Sequence, residues 1–154
     1  MQVKFKKSSA GFTLIELLIV VGITTILAGV SAVVYGNLQV SAQLNDISSQ
    51  VTQNLRLAKE QSAAGLNNVA HGIKFDSNQY ILYQGSSYLT RDSSYDRIFP
   101  LPSSLILTAV VPGQEIVFSK GVGLPSATGT LVFSHSVNGT KTIIINELGS
   151  IFEQ

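Results

Sequence analysis

Few residues in this 154-residue chain are of types that do chemistry, and they are widely spaced. There is no cysteine, which excludes a thiol nucleophile, a thiolate metal site and a disulfide framework. The two histidines, His71 and His135, have no acid or cysteine beside them along the chain, so neither reads as a metal ligand or a catalytic base. Gly121-Val122-Gly123 lacks the third glycine and the following helix of a phosphate loop. No nucleophile, base and orienting group assemble from local sequence, so the reading is of a protein that is not an enzyme, with no cofactor and no metal. One group stands out. Glu16 is the only charged side chain between Lys7 and Asp46, and it sits near the start of a long apolar run. A charge deep in a bilayer costs about 2.5–3.5 kcal/mol on insertion scales. An anchor alone has no use for it. The bland reading is that Glu16 snorkels to the interface, at a helix N-terminus whose dipole favours anions.

The elements around Glu16 narrow its role. Lys4, Lys6 and Lys7 precede Gly11 with no acid among them, and an apolar run extends from Phe12 to about Tyr35. Basic residues followed by an apolar run are the parts of an export signal. A cleaved secretory signal is one possibility, with Leu27 to Ala32 (LAGVSA) offering small residues for the cut. The run is longer than the usual ~7–15 residues of such a signal, however, and contains Glu16. A plain signal anchor is another. Leu17 to Val34 is 18 residues without a charge, close to the roughly 20 that a spanning helix needs, and the lysines hold the chain start in the cytoplasm. That account leaves Glu16 and Gly11 unexplained.

The stretch GFTLIE, Gly11 to Glu16, resembles the cleavage and assembly motif of type IV pilins and type II secretion pseudopilins. The resemblance covers a short basic leader, glycine before the cut, phenylalanine after it, and glutamate fifth in the mature chain, followed by a long apolar helix. It implies cleavage between Gly11 and Phe12 by prepilin peptidase, N-methylation of the new Phe12 amine, and retention of the apolar helix. It also implies a helical filament in which Glu16 meets a neighbouring subunit's amine. The physics is compatible with that. Glycine leaves the backbone unshielded for a protease, and the new α-amine is cationic near neutral pH. In an apolar core, an amine and a carboxylate attract strongly and each is expensive alone.

No proline occurs before Pro100, and apolar residues continue at helical spacing through Val40, Leu44, Ile47, Val51, Leu55 and Ala58. One helix is predicted from about Thr13 to Ala64, stopped by Gly65 and LNN. Its first half is apolar all round. Its second half is one-sided and should lay its stripe on a globular domain. Small residues at Gly22, Thr25, Gly29, Ala32 and Gly36 recur on one face of the first half, a candidate helix-packing seam. Many major pilins carry a proline in this half, whereas here Val33 occupies the corresponding region.

From Val69 the period becomes strand-like. GIKF and YILY flank a turn, a mixed-charge polar loop follows from Ser86 to Arg97, and FPLP keeps the chain extended. LILTAVV, EIVF, TLVFSHSV, TKTIIIN and GSIF read as further strands, about seven in all by order-of-magnitude reading of the pattern. Asn138-Gly139 between two of them is a hairpin signal. The order strand, Asn-Gly turn, strand, NELGSI resembles the H-type branch of minor pseudopilins. The expected fold is α+β: a long N-terminal helix packed on an antiparallel β-sheet head. The expected division is a leader at 1–11, a transmembrane and assembly helix at 12–36, an amphipathic helix at 37–65, and a head at 66–154. Tyr80, Tyr83, Tyr88 and Tyr95 read as half-buried strand tyrosines or as a contact surface.

The expected partners are prepilin peptidase, other pilin or pseudopilin subunits and cytoplasmic membrane lipid, with the head on the extracytoplasmic side. Of ten basic residues, three lie in residues 1–11, leaving seven against nine acidic ones, a net of −2. That balance makes nucleic acid an unfavoured partner. A DNA-receptor pilin using Lys74, Arg91, Arg97, Lys120 and Lys141 is the alternative of a different class. A single-pass anchored binding domain that keeps residues 1–11 is another.

Overall fold

Fifty consecutive residues, Leu14–Ala63, form one helix, α1. The computed structural model describes residues 11–154, apart from the side chains of residues 30–34. Lys4, Lys6 and Lys7 of the expected leader, and the side chains of Ala32 and Val33, lie outside the described residues. The chain divides into two compact units, Met1–Leu38 and Gln39–Gln154.

The helix starts where its sequence provides a cap. Thr13 Oγ1 accepts from the Glu16 amide at 3.3 Å, and the Leu17 amide donates to the Thr13 carbonyl at 3.2 Å. Thr13 therefore satisfies one of the amide groups that a helix start leaves without an internal partner. The helix stops at Gly65, as expected. The Gly65 amide donates to the Ser62 carbonyl at 3.0 Å, and the residue turns left-handed at φ 65°, where glycine has no Cβ penalty. Leu66–Asn68 then forms a single 3-10 turn.

In the second unit, the apolar stripe predicted for α1 is the core-facing one. Leu44, Ile47, Val51, Leu55 and Ala58 are buried, and Val40 is partly so. They pack on two four-stranded antiparallel sheets. β1 (His71–Asp76) and β2 (Gln79–Gln84) are the expected hairpin, flanked by β3 (Arg97–Pro100) and β5 (Glu115–Phe118) in the order β3-β2-β1-β5. β4 (Leu105–Val110), β6 (Gly129–His135), β7 (Thr140–Ile145) and β8 (Ile151–Glu153) form the other, in the order β4-β6-β7-β8. Ile73, Phe75, Tyr80 and Leu82 of the first sheet share one core with Leu105, Leu131, Phe133 and Ile143 of the second. Each fully buried Leu, Ile or Phe here contributes about 1.5–3 kcal/mol.

Three features refine the sequence reading. The expected antiparallel β-sheet head is divided between two sheets, a partition the sequence reading did not specify. The FPLP stretch is not merely extended: β3 pairs with β2, Phe99 opposite Tyr80, and their rings stack with centroids 4.9 Å apart. The hairpin expected at Asn138-Gly139 forms, with β6 antiparallel to β7, but through a four-residue connection rather than a two-residue turn. Ser134 pairs with Thr140, and the connection after β6 spans Ser136 to Gly139, closed by the His135 amide donating to the Gly139 carbonyl at 3.1 Å.

Candidate functional site at the N-terminal motif

Thr13 sets the geometry of the motif. It is the last residue outside the helix, so Gly11 and Phe12 are non-helical and exposed, and Glu16 falls in the first turn. Thr13 and Glu16 have the spacing of a capping box, in which a threonine cap is followed three residues later by a glutamate. That T-x-x-E signature is present in the sequence, but the sequence reading used Glu16 for its charge and its place in the motif, not as part of a cap. The Glu16 side chain is exposed. It makes no hydrogen bond or ion pair within the described residues, which leaves the carboxylate available to a cation from outside. The dipole of α1 favours a negative charge at this end.

The helix beyond the motif is uncovered. Every large apolar side chain from Phe12 to Leu27 is more than half exposed. A helix that is apolar on all sides is a buried one in its working environment, and an exposed apolar surface of this extent marks an interaction surface. The two threonines of this stretch are satisfied within the helix. The Thr24 and Thr25 hydroxyls both donate back to the Val21 carbonyl, at 3.0 and 2.7 Å, which removes the cost of burying them in apolar surroundings. Of the seam, Gly22, Gly29 and Gly36 have nothing within 4 Å of where a Cβ would stand. No contact within the described chain therefore accounts for their small size. Among the described residues no helix is long and apolar enough to cross a membrane. The expected span, Leu17 to Val34, runs into residues 30–34, whose side chains are not described.

In the head, the residues that looked chemical are tied into structure. His135 Nε2 lies 3.1 Å from Gln43 Oε1 of α1, and its Nδ1 accepts from the Val137 amide. His71 is buried, which pulls its pKa below the ordinary 6.5, and neither ring nitrogen has a hydrogen-bond partner. Among the described residues no group of three His, Cys, Asp or Glu is placed to hold a metal ion. Tyr80 and Tyr83 are fully buried rather than half-buried. Tyr80 Oη accepts from Asn54 and donates to Gln50, both on α1, and burial pushes its pKa up to about 12.

The polar loop from Ser86 to Arg97 hides an arrangement that its sequence did not reveal. Tyr83 Oη donates to Glu115 Oε2 at 2.6 Å, and the same carboxylate oxygen accepts from the Tyr88 amide at 2.8 Å. Arg91 Nε reaches both Asp96 oxygens at 2.9 Å, and its guanidinium lies 3.5 Å from the centre of the Tyr88 ring. These contacts fasten the loop over the outer face of the first sheet. They also occupy Arg91, while the Lys74 ammonium donates to the Gly113 carbonyl at 2.7 Å. Two of the five basic residues considered for a nucleic-acid surface are thus engaged within the head.

The geometry defines a class: a capped apolar helix bearing a first-turn glutamate, and a head of two antiparallel sheets that packs on the amphipathic continuation of that helix. Residues 6–32 match the family described as the prokaryotic N-terminal methylation motif. The fold is similar to that of the minor pseudopilin EpsH from the Type 2 Secretion System of Vibrio cholerae, with a TM-score of 0.57 at 14% identity, covering 73% of this chain and 96% of that one. No curated protein matches the sequence. The family match covers the N-terminal motif, and the structural likeness shows the fold.

Proposed function

We propose that this chain is a structural, non-catalytic subunit, a minor pilin or pseudopilin of a type IV pilus or type II secretion pseudopilus. Prepilin peptidase cuts between Gly11 and Phe12 and methylates the Phe12 amine. Before assembly, the apolar part of α1 spans the cytoplasmic membrane once, with the head on the extracytoplasmic side. During assembly that segment moves from lipid into a filament interior, with the seam of Gly22, Thr25, Gly29, Ala32 and Gly36 against another subunit's helix.

The observation that carries this reading is the helix start at Thr13. It leaves Gly11 and Phe12 outside the helix, as a protease requires of its substrate, and presents an unpaired Glu16 carboxylate one turn later. In low dielectric that carboxylate is stable only beside a cation, and the amine created at Phe12 of a neighbouring subunit supplies one. Glu16→Leu tests the assembly step. The variant is expected to be cleaved and retained in the membrane, yet missing from the sheared filament fraction. Incorporation equal to that of the unaltered chain would sink the proposed role of Glu16.

A further inference from the structure

A cleft of about 380 Å³ opens in the head where the C-terminal part of α1 meets the C-terminal end of β2 in the first sheet. Gln61, His71, Gln84, Ser94, Asp96 and Arg97 line it. His71 is 1% exposed, and neither of its ring nitrogens has a hydrogen-bond partner in the protein. Buried polar atoms are nearly always partnered, so an unsatisfied imidazole bordering a polar cleft is unusual.

The charges around it set what fits. Asp96 is neutralised by Arg91, which reaches both of its oxygens. Arg97 makes no ion pair among the described residues; its guanidinium lies 5.7 Å from the Phe99 ring centre and remains exposed. The uncompensated charge at the cleft is therefore positive. The donors agree with that sign. Neutral imidazole keeps one N–H. Gln84 Oε1 is already taken by Asn67 Nδ2 at 3.0 Å, which leaves the Gln84 NH₂ to donate. A guanidinium fork matches the two oxygens of a carboxylate. One free cation beside a carboxylate as close as Asp96 suits a monoanion better than a doubly charged phosphate.

We propose that this cleft binds a carboxylate group, with Arg97 supplying the charge and His71 and Gln84 the N–H donors. The carboxylate comes either from a free small acid or from the C-terminus of a peptide. The inference is independent of filament assembly.

The test uses the full-length chain in detergent micelles and follows the two imidazole signals by NMR, assigned with His135→Gln. Acetate and tri-alanine, the latter with a free or an amidated C-terminus, are titrated at constant ionic strength. The expected result is a saturable shift of His71 with His135 unmoved, and an apparent affinity weakened about tenfold or more in Arg97→Gln, the scale of losing a charged hydrogen bond. Tighter binding of free tri-alanine than of acetate, with none of the amidated form, assigns the site to a peptide terminus. Equal binding of acetate and free tri-alanine assigns it to small acids. Silence with every probe, shifts common to both histidines, or an unchanged affinity in Arg97→Gln overturns the proposal.

Discussion

The Tyr83 hydroxyl reaches the Glu115 carboxylate, 2.6 Å away, across the one position of β1 that has no side chain. A Cβ at Gly72 would stand 2.7 Å from the Tyr83 ring and hydroxyl and 2.9 Å from the Ile116 carbonyl. Glycine at this position lets the tyrosine lie against the strand. Burial and the neighbouring Glu115 carboxylate both push the phenol pKa up, so it stays a donor. The same carboxylate oxygen accepts from the Tyr88 amide at 2.8 Å, which fastens the loop from Ser86 to Arg97 to the head.

Gly72→Ala is therefore expected to destabilise the head by about 1–3 kcal/mol, the usual cost of overpacking, and to release the loop. Tyr83→Phe keeps the ring and loses only the hydrogen bond, a smaller expected cost of roughly 1–2 kcal/mol. Urea denaturation of the two variants gives the comparison. Equal midpoints for Gly72→Ala and the unaltered chain would refute the close approach.

Much of this loop was hidden in the sequence for a physical reason. Its contacts join residues 5 apart for Arg91 with Asp96 and 27 apart for Tyr88 with Glu115, and only the fold brings the latter together. Mixed charges at that spacing read as a solvated loop. β3 was missed as a strand because Arg-Ile-Phe-Pro has neither alternation nor a buried face; its pattern is exposed at three of four positions. The stripe from Val40 to Ala58 was legible because a 3.6-residue period is a local property. The helix stop at Gly65 was legible for the same reason. The division into two sheets was not, since strand order depends on contacts that no periodicity encodes. At the N-terminal motif, Gly11, Phe12 and Glu16 were visible, and the cap made by Thr13 was available in T-x-x-E but went unused.

His71 is expected to make the head sensitive to mild acid. Burial holds its pKa below 6.5, so between that ordinary value and the folded one the unfolded chain binds more protons than the folded one. Stability is expected to be level above about pH 6.5 and to fall as the pH drops below it, by at most about 1.4 kcal/mol per pH unit for one group. Denaturation midpoints at pH 7.5 and 5.5 measure the loss. His71→Leu removes the titrating group and should flatten the dependence over that window, and an unchanged slope would exclude His71 as its source.

The glycine seam separates assembly from folding. Nothing lies within 4 Å of a Cβ at Gly29, and leucine favours a helix interior over glycine by about 0.8–1.0 kcal/mol. Gly29→Leu is expected to leave the circular dichroism and thermal midpoint of the isolated subunit unchanged or slightly improved, while lowering its yield in assembled filaments. Normal assembly would remove the seam as a packing surface.

The central claim is that Gly11–Phe12 is a processing site and the apolar helix behind it is kept. The N-terminal peptide mass of the protein extracted from membranes measures both at once. A chain beginning at N-methylated Phe12 is the predicted result. A chain beginning near Met1 would make the segment a plain anchor, one beginning after about Ala32 would make it a discarded signal, and either would contradict the account.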